Sequence, residues 1–102
     1  MNIGQAIHTV RKKKNLSQEK FSKLVGIDQS YLSLIENGKK KPGMKLLEKI
    51  SQETKTPLPI LLFFSLSEED VSPQKRELYH ILFPRVKEMV GDIFESSTED
   101  DP

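Results

Sequence analysis

The segment from Ser17 to Gly38 constrains the fold more than any other part of the chain. It holds two short apolar stripes divided by a single glycine. Ser17 is a good N-cap, and Glu19 falls in the first turn that follows. Phe21, Leu24 and Val25 form the first stripe, and Gly26 stops it as a glycine just past a helix end does. Asp28 begins again almost at once as an N-cap. Tyr31, Leu32, Leu34 and Ile35 form the second stripe, and Asn37-Gly38 ends it. Two helices of roughly two turns each, joined by a few residues centred on Gly26, form a helix-turn-helix.

The flanking sequence supplies further elements. Ile3, Ala6, Ile7 and Val10 share one helical face, with Asn2 and Gln5 spaced as a capping box. This predicts a first helix from about Ile3 to Lys14, ended by Asn15 as a left-handed terminator. Lys39-Lys40-Lys41-Pro42-Gly43 reads as a basic loop. A fourth helix is expected from Met44 to Thr54, with Met44, Leu47 and Ile50 inward. Pro57 suits the first position of a fifth, which turns Leu58, Leu61 and Leu62 to the core. Residues 1–66 thus make a five-helix domain of the all-α class, with no strand signal.

Residues 67–95 read as an added helical segment. Ser67-Glu68-Glu69-Asp70 is an acidic linker, and Ser72-Pro73 an N-cap and first-turn pair. Leu78, Leu82, Val86, Met89 and Ile93 recur at helical spacing, flanked by Tyr79, Phe83, Val90 and Phe94. Pro84 is expected to break or kink this helix near Leu82. Residues 96–102 are acidic and expected to be disordered.

Composition excludes several classes of function. A length of 102 residues suits one modest core. With no Cys, the chain has no disulfide framework, no Cys zinc site and no thiol chemistry, and it fits a reducing compartment. The longest apolar run, Leu58 to Leu66, is about nine residues, whereas a membrane span needs about twenty. No basic start precedes an apolar stretch in the first ten residues, so no secretory leader is expected. Gly38-Lys39-Lys40 lacks the pattern of a phosphate loop. His8 and His80 stand apart, His8 reading as a surface residue of the first helix, and Glu68-Glu69 reads as a solvated linker. Neither a metal, a cofactor nor an enzymatic activity is expected.

The net charge of +1 conceals an asymmetry. Residues 1–56 carry 12 Lys+Arg against 5 Asp+Glu, and residues 57–102 carry 4 against 10. The first part suits a polyanion, of which nucleic acid is the commonest, and the bland alternative is a set of solvated lysine faces.

The run Leu16-Ser17-Gln18-Glu19-Lys20-Phe21-Ser22-Lys23-Leu24-Val25-Gly26-Ile27-Asp28-Gln29-Ser30-Tyr31-Leu32-Ser33-Leu34-Ile35-Glu36-Asn37-Gly38-Lys39 resembles the lambda-repressor/Cro-like (Xre) helix-turn-helix family. Ile3-Gly4, Ile7 and Arg11 upstream, and Pro42, Leu47 and Ile50 downstream, fit the same family's five-helix domain. The resemblance covers roughly residues 2–66. Ser22 stands where the family has a small Ala, and Gly43 where it has a capping Ser or Thr. Thr54-Lys55-Thr56-Pro57 replaces the usual Leu-Gly-Val-Ser-type turn.

The resemblance implies that the third helix enters the major groove of double-stranded DNA while the second crosses the backbone. Leu32 and Ile35 then pack, leaving Gln29, Ser30, Tyr31, Ser33 and Leu34 for DNA. Gln29 offers a donor and an acceptor that match the adenine edge. Leu34 either touches a thymine methyl or is partly buried against the loop. The family also implies that Gln18 meets a phosphate and braces Gln29. It implies that Asn37, Lys39, Lys40 and Lys41 grip the backbone, and that Arg11 and Glu36 form a structural ion pair. It further implies a cytoplasmic, nucleoid-associated protein of a bacterium or phage.

A regulator of this class reads DNA as a two-fold dimer, because one short helix covers too few base pairs. Leu78, Leu82, Phe83, Val86, Met89, Val90 and Ile93 are the candidate dimer interface. The alternatives are that this stripe folds back on the first five helices, or docks a different protein. The expected function is a sequence-specific transcriptional repressor acting as a homodimer. The alternative is an antitoxin-like module whose C-terminal helices hold another protein. The acidic end from Glu95 reads as a solubilising tail or as a competitor of DNA.

Overall fold

A computed structural model describes residues 1–95, with side chains through Phe94. It contains α1 (Ile3–Lys13), α2 (Gln18–Val25), α3 (Gln29–Glu36), α4 (Met44–Thr54) and α5 (Leu58–Phe64). Two short 3-10 turns, Glu68–Asp70 and Pro73–Lys75, lead into α6 (Arg76–Glu95). No strand occurs among the described residues. The acidic tail, residues 96–102, lies outside them.

Most helix ends follow from local chemistry. Asn2 Oδ1 accepts from the Gln5 amide at 3.0 Å, and Ser17 Oγ from the Lys20 amide at 3.0 Å. Each satisfies one of the donors that a helix start leaves without a partner. Asn15 takes the left-handed conformation (φ 58°) that ends α1. Pro57 sits one position earlier than expected, as the N-cap of α5, with Pro59 in its first turn. Between α4 and α5 it is Lys55 that adopts the left-handed turn, at φ 55°. Thr54 and Thr56 beside it are buried, and Thr54 Oγ1 donates to the Ile50 carbonyl at 2.7 Å.

The core joins Ala6, Ile7 and Val10 of α1 with Phe21 and Val25 of α2 and Leu32 and Ile35 of α3. Leu47 and Ile50 of α4 and Leu61 and Phe64 of α5 complete it. Every helix of residues 3–64 therefore gives its apolar face to one interior. Met44 does not take part as expected. It stands at the first position of α4 and is 57% exposed, while Leu47 and Ile50 further along the helix are buried. Gly4 allows α1 and α3 to meet, since a Cβ there would lie 2.0 Å from the Ile35 carbonyl oxygen.

α6 lies against this body along one face. Phe83 meets Phe63 at 5.2 Å between ring centres, and Tyr79 stacks on Phe83 at 4.9 Å. Tyr79 also donates its hydroxyl to the Leu66 carbonyl at 3.1 Å. Val90 packs on the core, and Gly91 is buried beside the Lys13 side chain. Lys14 Nζ donates to the Phe94 carbonyl at 2.9 Å, a cation where the helix dipole is negative. Burial, and then the charge of Lys13, push the Lys87 ammonium below the usual lysine range.

Pro84 does not interrupt α6. The ring removes one backbone donor and leaves the His80 carbonyl without its helical partner. Both residues are exposed, so water can take that bond, and the helix continues.

Candidate nucleic-acid interface

Gly26, at φ 79°, sets the angle between α2 and α3. Its amide donates to the Ser22 carbonyl at 2.8 Å, and the Ile27 amide donates to the same oxygen at 2.9 Å. A residue with a Cβ is disfavoured in that conformation, which is why the glycine stands there. Ser22 is buried and bonds back to the Glu19 carbonyl at 2.9 Å. Its hydroxyl is thus satisfied within α2, and a small side chain keeps the packing close.

α3 is amphipathic in the sense a reading helix requires. Leu32 and Ile35 are buried. Gln29 and Ser30 are exposed at its N-terminal end, and Leu34 is 38% exposed further along. Tyr31 is half-buried with its ring against the core, and Ser33 is half-buried beside Asn37. Asn37 Nδ2 donates to the Ser33 carbonyl at 2.9 Å. Asp28 has N-cap backbone geometry but makes no cap bond with its side chain. The Lys39 amide closes α3 on the Leu34 carbonyl at 2.8 Å, and Lys39, Lys40 and Lys41 leave that closure exposed.

Glu36 anchors the back of this surface. Arg11 Nε donates to its Oε2 at 2.7 Å and Arg11 Nη2 to its Oε1 at 3.0 Å, a two-pronged pair. Arg11 also donates to the Leu16 carbonyl at 2.8 Å. Both side chains are nearly buried, at 8% and 4% exposure. The ion pair expected between these two residues is thus present in the fold. Gln18 Nε2 donates to Glu36 Oε1 at 3.1 Å, so the start of α2 is tied to the end of α3. His8 Nδ1 lies 3.0 Å from the same oxygen.

His8 is therefore more than the plain surface residue that the sequence suggests, since it belongs to this network. Its three-residue spacing from Arg11 on one face of α1 is the signal that points to it. Burial alone would raise the Glu36 carboxyl. The hydrogen bonds from Arg11, His8 and Gln18, with the Arg11 charge, outweigh it and hold the group below the usual carboxylate range. A charged Glu36 so compensated presents little negative potential to an anion at the α3 end.

The α6 stripe proves to be two faces. Phe83 and Val90 turn to the body, so the inward alternative holds for them. Leu78, Leu82, Val86, Met89 and Ile93 are 41–70% exposed. Ile81, which lies outside the stripe read from the sequence, is also 57% exposed. His80 Nε2 meets Glu68 at 2.6 Å across the linker.

Comparison with known proteins bears directly on the α1–α5 body. A family model described as helix-turn-helix matches residues 7–61, more than half of the chain. The chain belongs to the lambda-repressor-like (Xre) helix-turn-helix family. It is 42% identical over 52 residues to the control protein C.MunI of Mycoplasma sp., half of this chain and 70% of that protein. It is 41% identical over 49 residues to the ImmF control region 10 kDa protein of Bacillus phage phi105. That second match spans 48% of this chain and 54% of the phage protein. A helix-turn-helix protein of this family is a DNA-binding transcription regulator and not an enzyme. Among the described residues, no helix is long and apolar enough to cross a membrane.

Proposed function

We propose that this helix-turn-helix protein represses transcription by occupying a promoter as a homodimer, with α3 in the major groove. The observation that carries the reading is the division of α3. Leu32 and Ile35 are spent on the core, whereas Gln29, Ser30 and Leu34 are exposed, as are the three lysines that follow. Gln29 and Ser30 read base edges, with Ser33 and Leu34 beside them, and Gln18, Tyr31 and Asn37 support that reading along the backbone. Lys39, Lys40 and Lys41 hold phosphates, which sets register and affinity without carrying sequence information. One relative is named a control protein and the other is named for a control region, which agrees with regulation of a promoter.

Homodimerisation through α6 is the second part of the proposal. A monomer with so continuous an apolar stripe would leave it to water, and an operator read twice needs two copies. The exposed stripe also fits the other reading, an antitoxin-like module that holds a different protein. The solution mass of the full chain separates them, since a monomer favours the foreign partner.

The DNA part is tested by binding assays on a selected operator and on random duplex. Gln29→Ala should weaken the operator complex by about 1–3 kcal/mol and spare random DNA. Replacing Lys39, Lys40 and Lys41 together by Ala should weaken both alike and flatten the salt dependence, by about 0.9 in log–log slope for each phosphate left without its lysine. An equal loss on all sequences for Gln29→Ala would remove α3 from the groove.

A further inference from the structure

The exposed face of α6 differs between its two halves. At 3.6 residues per turn, Leu78, Leu82, Val86, Met89 and Ile93 fall within a single narrow sector, a ridge about 22 Å long. The N-terminal half of that sector is concave. Val71 of the linker, Leu78, Leu82 and Val86 line an open apolar groove of about 380 Å³, floored by Tyr79 and Phe83. The C-terminal half is convex. Met89 and Ile93 stand out at 67% and 70% exposure, above the values for the groove residues Leu78, Leu82 and Val86.

We infer that α6 pairs with α6 of a second copy in antiparallel orientation, Met89 and Ile93 of each filling the groove of the other. The inference rests on the homodimer reading above and adds the geometry. The spacing fits this pairing. Running antiparallel about a two-fold axis near Val86, Leu82 comes opposite Met89 of the second copy and Leu78 opposite its Ile93. One patch meets itself and the assembly closes at two. A parallel pair would set the protruding side chains against each other and face groove to groove, leaving both unfilled. Charge agrees with the antiparallel choice. Exposed Arg85 and Glu88 border the same edge of the ridge. In the antiparallel pair each Arg85 lies about 1.5 Å along the axis from Arg85 of the second copy and about 3 Å from its Glu88, so the two carboxylates flank and offset the two guanidiniums.

The absence of Cys makes the test clean, because any introduced thiol is the only one. Leu82→Cys, Met89→Cys and Val86→Cys are made in the full chain and mildly oxidised, and light scattering gives the mass before oxidation. These side chains are exposed in one chain, so each variant keeps the core. The expected result is a dimer in which Val86→Cys cross-links with itself. Leu82→Cys and Met89→Cys should each fail alone and cross-link when mixed. Leu82→Cys joining itself as readily as the mixture would overturn the orientation while keeping the dimer. A dimer with no cross-link at any of the three would move the interface to another face. A monomeric full chain would overturn both the orientation and the homodimer. Arg85→Glu should weaken the dimer by about fivefold, with recovery on adding Glu88→Arg, a small effect because both side chains are exposed to water. No recovery would remove these charges from the interface.

Discussion

The body formed by α1 to α5 and the long helix α6 solve the same problem differently. Each helix of the body is short, and none could persist in isolation at seven to eleven residues. All five are held because their apolar faces meet in one interior, where Ala6, Ile7, Phe21, Leu32, Ile50 and Leu61 are fully shielded from water. α6 is 20 residues long and gives only one of its faces, with Tyr79, Phe83 and Val90, to that body. The other face is as apolar and remains at the surface. An element that completes its packing within the chain serves stability, and one that packs half-way leaves an apolar surface, which the proposed dimer would cover. Substitutions in the body should therefore be felt in folding, and those on the outer face of α6 in assembly.

The largest effect should come from Glu36. Glu36→Ala leaves the nearly buried Arg11 guanidinium without its carboxylate, and removing one partner of such a pair costs about 3–5 kcal/mol. Urea unfolding of the full chain measures it. The same pair sets a pH dependence. Because the folded carboxyl sits below its ordinary value of 4.5, its contribution is complete above about pH 5. It is lost as the pH falls through the folded value. A wild-type curve with a steep acid limb, and an Ala variant with a shallower one, is the expected pattern. Parallel limbs would detach Glu36 from the fold.

Gly4→Ala comes next. The added methyl would press into the Ile35 carbonyl, so α1 and α3 must separate at a cost of about 1–3 kcal/mol. Operator binding should fall with the stability, because α3 loses its support. Lys55→Gly should act in the opposite direction, raising stability by up to about 1 kcal/mol by relieving a left-handed backbone at φ 55°. The smallest effect on folding belongs to α6. Met89→Ser, at a side chain 67% exposed, should change the unfolding free energy of the monomer by less than about 0.5 kcal/mol. It should nevertheless lower the dimer fraction by light scattering. If Met89→Ser unfolded the protein as Gly4→Ala does, the contrast between the two regions would collapse.

Much of the body is legible in the sequence because its signals are local. Caps at Asn2 and Ser17 and the stops at Asn15 and Gly26 act within four residues of where they stand. The expected span Met44 to Thr54 is the observed α4. Arg11 and Glu36 are legible through the family's pattern alone, since 25 residues separate them. The parts that escape depend on where one helix ends against another. Met44 has the right spacing for the core but sits at the first position of α4. Pro84 carries a helix-breaking rule, yet its exposed side lets water repair the missing bond. His8 enters the Glu36 network because α1 and α3 cross close together, bringing together residues 28 apart.

By itself, then, the amino-acid order determined the five helices of the body, most of their limits, the basic body with its acidic sequel, and the family to which the α2–α3 unit belongs. Each of these is written in neighbours three or four residues apart or in the type of a single residue, whereas the start of α6 at Arg76 and its passage through Pro84 were not legible. Only the tertiary structure decided which apolar residues of α6 are inward and which are free. Phe83 and Val90 differ from Leu82 and Met89 by one step along the chain, and one step turns a side chain by about 100° around the helix. The stripe is wide enough to serve two faces, and the position of Phe63 on α5 selects the one that is covered.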